Sequence, residues 1–424
     1  MKSPIALFAL LSLSYCFGTI LRISAVVVLP GLAKEIGIGA AMLGFLSSLF
    51  FFVYAATQST WGSLCGSMGP IRSCAIGLFI TSFGSFIFIF ADNSLLIGLS
   101  RLFTGLGTAG IFVGTLIFAA IAFTPDKYPL LVGLTMTLGN IGSTIAVAPL
   151  GILLDTMGIG GLFLSISLCF AFIGSVLWFS RQYDPYKEKI GEANKTFSMF
   201  ALFTDTADAF FLITKNRTLF AIAGVWATTT AAVITLQGLW GVSWVEAASG
   251  ASAAEARYCI SLVGIGMVLG SLSGGFITRA AKGRSNVCIF ICLLTWMFWA
   301  AWCIFSFFGA DIFYFNLCGL LLGLFSAFSL VFSSSAVKEM VLPSKTATTV
   351  GMANMLNFAA VVLLQGLSGV IIGSFPKDAL GNYSTGGYEA AFGALLLCQF
   401  VIYMNIPRNK YLKLPGQENN AVNI

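Results

Sequence analysis

Apolar residues run in long blocks along this chain, and polar and charged residues gather in short breaks between them. The blocks lie at about 5–30, 41–64, 71–91, 94–121, 129–153 and 159–180, and again at about 218–244, 257–278, 286–308, 311–335, 347–374 and 389–406. Each approaches the roughly 20 residues that a helix needs to cross the hydrocarbon core of a bilayer. The pattern therefore predicts an all-α integral membrane protein with twelve transmembrane helices. The first block is too long for a signal peptide and no small-residue cleavage pattern follows it, so it is expected to remain as a helix.

The longest polar stretch, from Arg181 to Arg217, divides the twelve into two sets of six. The expected domains are an N-terminal six-helix bundle over 1–180, a cytoplasmic linker over 181–217, a C-terminal six-helix bundle over 218–407 and a cytoplasmic tail over 408–424. Tyr183-Asp184-Pro185-Tyr186-Lys187 reads as solvated linker, with a short surface helix expected around 197–211. Two sets of six suggest an internal repeat. Gly62-Ser63-Leu64 and Gly270-Ser271-Leu272 stand at matching places after the second and eighth blocks.

Basic residues orient the chain. Of 22 Lys and Arg, 17 fall on the side of the termini, among them Arg72, Lys127, Arg181, Lys215 and Lys338. Lys34, Arg257 and Lys377 fall on the other side, and Arg22 and Arg101 fall inside blocks. Because Lys and Arg accumulate in cytoplasmic loops, both termini are expected to be cytoplasmic. The short tails suit a cell membrane of the bacterial inner-membrane kind.

Composition narrows the function. The chain is 58% apolar and 9% charged, with a mean hydropathy of +0.94, whereas soluble domains are about a quarter charged. The net charge of +6 is scattered over loops, which argues against a nucleic-acid partner. Absence of His removes the commonest general base and metal ligand. Ten Cys without a C-x-x-C pair read as small buried hydrophobes. No G-x-x-x-x-G-K-[ST] loop is present, so an ATP-driven pump is excluded as a single chain. No cofactor, metal or catalytic residue is expected, and the chain is expected to work as a monomer in the lipid bilayer.

Two motifs carry a family resemblance. The turn after the second block reads Gly62-Ser63-Leu64-Cys65-Gly66-Ser67-Met68-Gly69-Pro70-Ile71-Arg72, and the fourth block contains Arg101-Leu102-Phe103-Thr104-Gly105-Leu106-Gly107. Over about 5–407 the chain resembles the major facilitator superfamily, whose corresponding patterns are G-x-L-x-D-R-x-G-R-R and R-x-x-x-G-x-G. Gly66 and Ser67 replace the Asp and first Arg of the turn, which in the family form a charge-relay latch. The matching second-half turn, Gly274-Gly275-Phe276-Ile277-Thr278-Arg279 with Gly283-Arg284, is similarly degraded. The fifth-helix G-P-x-x-G-G of drug antiporters is not reproduced at Ala148-Pro149-Leu150-Gly151-Ile152-Leu153. The resemblance implies secondary active or facilitative transport by alternating access, with two bundles rocking about a central site.

The charged residues inside blocks are the sharpest candidates. An ionisable side chain near the bilayer centre costs at least about 2.5–3.5 kcal/mol, so by default it faces a cavity and a partner. At 1.5 Å per residue, Arg22 and Arg101 are expected at similar depth, flanking one ligand. Glu35, Asp92, Asp155, Glu246 and Glu389 all fall at block ends or in loops, leaving the two cations without a buried counter-charge. A small organic anion fits, because a guanidinium binds a carboxylate or phosphate bidentately and keeps its charge. The arrangement resembles the superfamily's organic-anion branches, where arginines on the first and fourth helices are associated with anionic solutes. Acidic residues for proton coupling are absent beside them, where Leu21 and Thr108 stand. The plainer accounts are that Arg101 bonds neighbouring backbone carbonyls and that Arg22 reaches the interface, Asp155 or Asp92.

Other polar positions repeat at helical spacing. Thr230, Gln237, Trp240 and Trp244 share a stripe of the seventh block, Asn354, Asn357 and Gln365 one of the eleventh, and Tyr54 and Gln58 are four apart on the second. Arg22, Arg101, Tyr54, Gln58, Gln237, Trp240, Asn354 and Asn357 form the expected substrate-binding set. For Trp240 and Trp244 an interface belt is the plainer account, and for Asn140 helix packing. The alternative on the same fold is an exporter of amphiphilic compounds or a siderophore-type transporter, a reading the 40 Phe favour.

Overall fold

A computed structural model describes residues 3–124, 127–184, 199–281, 285–341, 345–377 and 382–406. The expected tail over 408–424, and 185–198 of the expected linker, lie outside the described residues. Among the described residues the chain is helical between short connections, with one isolated bridge, Lys377 with Tyr383. Eleven helical segments among them are long and apolar enough to cross a membrane, and Leu130–Ile145 is a shorter apolar helix.

The first run is bent. Helix α1 (Pro4–Ile23) leads into α2 (Ala25–Glu35) across Ser24, whose Oγ donates to the Leu21 carbonyl at 2.8 Å. Such back-bonding bends a helix, and Pro30 in α2 removes a further backbone donor. Helices α3 (Ala40–Met68), α4 (Pro70–Phe88) and α5 (Ser94–Ala122) come next, the last started by Asn93, whose Oδ1 accepts from Leu96 N at 3.0 Å.

The fifth block, expected as one helix, is broken. Helix α6 (Tyr128–Ile145) stops before Ala146 and Val147, and α7 (Ala148–Ser180) begins beyond them. Pro149 accounts for the break, since its ring has no N–H and clashes with the carbonyl one turn back. The freed Ala148 N–H donates to Ser261 Oγ at 3.0 Å. Within α7, Gly158 takes a φ of +68°, which separates the end of the fifth block from the sixth.

Helix α8 (Met199–Lys215) answers the expected surface helix, with Ala209 and Ile213 buried. Helix α9 (Arg217–Thr235) is capped by Asn216 and passes through a π-helical turn, Leu236–Trp240, into α10 (Gly241–Ser249). Next come α11 (Ala253–Ala281), α12 (Ser285–Phe307), α13 (Ile312–Glu339), α14 (Thr346–Gly373) and α15 (Thr385–Met404). Ser252 and Glu255 exchange hydrogen bonds at the start of α11.

Helices α1 to α7 pack among themselves, chiefly α3 and α4 on α5, α4 on α7 and α1 on α6. Helices α9 to α15 do likewise, chiefly α11 on α13, α9 on α14 and α12 on α13. The two sets meet along α3 with α14 and α6 with α11. At the end that holds Lys34, Gly44 of α3 lies against the backbone of Gln365 and Gly369 of α14, where a Cβ has no room. Gly264 of α11 lies equally close to Thr144 of α6. Further along, contact passes to side chains: Asn354 Nδ2 donates to Gln58 Oε1 at 3.4 Å, and Asn140 Nδ2 to Ser271 Oγ at 2.8 Å. Beyond these, Gly62 and Gly351 face open space. Close packing between the sets is thus concentrated at the Lys34 end.

Asp184 departs from its expected place in a solvated linker. It is buried and its Oδ2 accepts from Ile71 N at 3.0 Å, so a carboxylate sits at the N-terminus of α4 beside Gly69, whose φ is +90°. A negative charge there complements the helix dipole and satisfies a free N–H.

Candidate functional site

Of the sequence-derived candidates, Tyr54, Gln58 and Asn354 make contacts across the seam between the two sets, whereas Arg22 and Arg101 face voids within α1 to α7. Arg22 lies in the last turn of α1, and its Nε is buried without a partner. It lines a void of about 10 Å³ with Tyr15, Thr19, Phe50, Tyr54 and Thr108. Tyr15 stands two turns before Arg22 on the same stripe, a spacing that marks it from sequence once Arg22 is singled out.

Arg101 opens on a different void of similar size, among Leu21, Ser24, Phe88, Ser100, Thr104 and Phe163. It is 4% exposed, and neither its Nε nor its Nη2 has a partner. Its guanidinium lies 5.0 Å from the Phe50 ring centroid, a cation–π contact that compensates part of the lost hydration. Phe50 lines the Arg22 void as well. The two open on separate voids within α1 to α7. Depth follows from rise per residue; facing direction depends on neighbouring helices.

An aromatic cluster spans the seam. Tyr54 meets Phe358 of α14 edge-on at 5.0 Å and lies parallel to Phe50 at 6.0 Å. Phe51 stacks on Phe358 at 6.3 Å, and Phe112 lies 5.0 Å from Tyr15 and 6.4 Å from Tyr54. Sequence reasoning misses Phe112 and Phe358, because one Phe among 40 carries no distinguishing spacing.

Carboxamides surround this cluster. Gln58 and Asn354 bond each other across the seam, while Gln58 Nε2 remains unpartnered. Asn357 is 4% exposed with an unpartnered Oδ1, and Gln237 is 3% exposed with an unpartnered Nε2. Gln365 has no exposed surface, and neither atom of its amide is bonded. Leaving a buried polar group unpaired costs about 1–3 kcal/mol.

Trp240 and Trp244 are both fully buried and do not form an interface belt. Trp240 Nε1 donates to Ser368 Oγ at 2.9 Å, with Tyr383 and Tyr388 edge-on at 6.1 and 6.0 Å. Trp244 instead packs on Tyr388, Phe392 and Trp302, its Nε1 donating to Ser306 Oγ at 2.8 Å. The π-helical turn accounts for the divergence: its extra residue rotates helix α10 relative to α9 and breaks the stripe that joins these tryptophans to Thr230 and Gln237. Carboxylates also lie within helices, Glu35 at the end of α2 and Asp155 in α7 among them. Glu246 is in α10, and Glu389, in the first turns of α15, accepts from Ser306 Oγ at 2.7 Å.

Above this layer, at the Lys34 end, a cavity of about 1110 Å³ has walls from both sets. Lys34, Arg257, Lys377 and Glu246 line it, and Val26, Val27, Leu43 and Trp240 also contribute to its walls. Arg257 Nη1 is paired with Asp155 Oδ2 at 2.5 Å. Lys34 donates to Asn382 Oδ1, and the Lys377 ammonium lies 4.8 Å from the Tyr383 ring centroid. Burial pushes the Tyr383 hydroxyl above its ordinary range. Among the described residues no group of three or more His, Cys, Asp or Glu is placed to hold a metal ion.

Comparison with known proteins agrees with this architecture. Residues 10–248 match the family model described as the Major Facilitator Superfamily. An MFS-type transporter of Pestalotiopsis microspora is 30% identical over 113 residues, 27% of this chain and 21% of that protein. The riboflavin transporter RibZ of Clostridioides difficile is 25% identical over 185 residues, 43% of this chain and 38% of that protein. These matches thus span well under half of the relatives' lengths. Among solved structures, the chain superposes on a bacterial homologue of the human lysosomal transporter Spinster, in an inward-facing, unoccupied conformation, with a TM-score of 0.73. That match has 13% identity over 95% of this chain and 96% of that one. The nucleoside transporter NupG gives 0.69 at 16% identity, covering 96% of this chain and 100% of that one. The chain belongs to the major facilitator superfamily and is a multi-pass membrane transporter rather than an enzyme.

Proposed function

We propose that this chain moves a small organic anion across a bacterial inner membrane by alternating access, acting as a monomer, with twelve crossings and both termini cytoplasmic. The observation that carries the reading is Arg22. Arg22 is half-buried, its Nε lacks a partner, and the residues lining its void include Tyr15, Phe50 and Tyr54 but no carboxylate. A fixed buried cation without a counter-charge is stabilised by an anionic cargo, which a guanidinium grips with two parallel bonds. Tyr54, Gln58, Asn354 and Asn357 shape the rest of the site, and Gln237 and Trp240 close it toward the Lys34 end.

Arg101 serves this site at one remove, by holding Phe50 against it. The packing of Gly44 on Gly369 and the Arg257–Asp155 pair fit a closed outer gate.

Uptake of carboxylated solutes into proteoliposomes tests the reading. Arg22→Gln is expected to abolish it and Arg22→Lys to retain a fraction; undiminished uptake by Arg22→Gln overturns it.

A second reading, export of amphiphilic compounds, has the aromatic cluster of Tyr54, Phe51, Phe112 and Phe358 in its favour. A relative named as a dehydrocurvularin exporter, from Alternaria cinerariae, is 31% identical over 96 residues, 22% of this chain and 16% of that protein. Under it, neutral amphiphiles compete for the site and Arg22→Gln leaves their transport intact.

A further inference from the structure

Helix α14 carries a polar group that the anion reading does not use. Gln365 has no exposed surface, lies within an apolar stretch, and has both its amide oxygen and its amide nitrogen unbonded. A carboxamide so placed presents one donor face and one acceptor with nothing to receive either.

Its position ties it to the Arg22 site. A Cβ built on Gly238, inside the π-helical turn, would lie 3.8 Å from Gln365 Nε2 and 3.6 Å from Ile23 Cδ1, the residue after Arg22. The next residue back in that turn is Gln237, also buried, with its own Nε2 unpartnered. One turn on, Ser368 Oγ donates to the Gln365 carbonyl and receives Trp240 Nε1, which fixes the backbone of both elements. Two carboxamides with unpartnered atoms therefore stand on α14 and on the π-helical turn, whose Gly238 lies beside Gln365. A π-helical turn is itself a local irregularity that clusters at functional sites.

We infer that Gln365, with Gln237, forms a subsite for a neutral amide-like group on the transported solute, so that the cargo is an organic acid bearing a carboxamide or comparable donor–acceptor function. This rests on Arg22 taking the acid end. The chemistry favours a neutral group over a second charge, because no ionised side chain is among the residues named around Gln365 and a carboxamide satisfies both halves of another carboxamide. A site built to hydrogen-bond a group discriminates strongly against the isostere lacking it, since its own polar atoms are then left unpaired.

The test compares two acids of equal shape, succinamate and 4-methylpentanoate, in which an isopropyl group replaces the carboxamide. Calorimetric titration of the purified full-length chain is expected to give at least tenfold tighter binding of succinamate. Gln365→Leu is expected to remove that preference while still binding 4-methylpentanoate, which also reports that the variant is folded. Gln365→Asn, which keeps the amide on a shorter stem, is expected to retain part of it. Equal affinities in the wild type, or an undiminished preference in Gln365→Leu, overturn the amide subsite and leave the anion reading intact. If Arg22→Gln binds both acids as the wild type does, the anion reading fails and takes the inference with it. If the wild type binds neither, both fail.

Discussion

Arg257 of α11 reaches across the seam to Asp155 of α7, Nη1 to Oδ2 at 2.5 Å, and joins the two helix sets at the Lys34 end. The arginine is largely shielded and the aspartate is 60% exposed, which limits the pair to about 1 kcal/mol or less. Its worth lies in where it acts. It adds to the close backbone packing of α3 on α14.

Asp155→Asn is accordingly expected to favour the state open at the Lys34 end by up to about fivefold, the ratio that 1 kcal/mol allows. Spin labels at the exposed positions Thr156 and Ala254, read by double electron–electron resonance, report it as a longer-distance population. An unchanged distance distribution shows that the pair does not latch the gate.

Gly44 gives a steric version of the same test. A Cβ there meets the Gln365 carbonyl and the Gly369 backbone, which have no freedom to move aside, whereas Gly366, on the same helix α14, faces nothing within 4 Å. Gly44→Ala is expected to populate the longer distance and lower thermal stability. Gly366→Ala is expected to be neutral or stabilising by up to about 1 kcal/mol through helix propensity alone. Equal behaviour of the two variants contradicts the close seam.

Asp184 is expected to be worth about 1–2 kcal/mol as the cap of α4. Asp184→Ala should lower the unfolding midpoint in detergent, and Asp184→Asn, which keeps an acceptor oxygen, should recover part of the loss. A midpoint unmoved by Asp184→Ala means that the Ile71 bond contributes nothing.

Much of the architecture is legible in the sequence, because a bilayer demands long apolar runs and those runs are unambiguous. The broken helices are not: Ser24, the Val147–Pro149 step and the turn at 236–240 all fall inside blocks that read as continuous. Periodicity assigns a face only while the helix stays regular, which is why Trp240 and Trp244 share a stripe on paper and lie in different environments in the fold. Asp184 reads as solvated because its partner, Ile71, is 113 positions away and leaves no local trace. The site is half legible. Rarity of charge in apolar runs singles out Arg22 and Arg101. That they open on separate voids, with Phe50 against Arg101 and lining the void of Arg22, requires the packing of α1, α3 and α5.

Arg22 and Arg101 therefore separate cleanly by experiment. The most direct measurement is calorimetric binding of a carboxylated solute, compared across pH-matched wild type, Arg22→Gln and Arg101→Gln, with thermal unfolding recorded for each. The account predicts that Arg22→Gln loses binding at an unchanged unfolding midpoint, while Arg101→Gln shifts the midpoint and weakens binding only in part. Full binding by Arg22→Gln, with loss confined to Arg101→Gln, contradicts it.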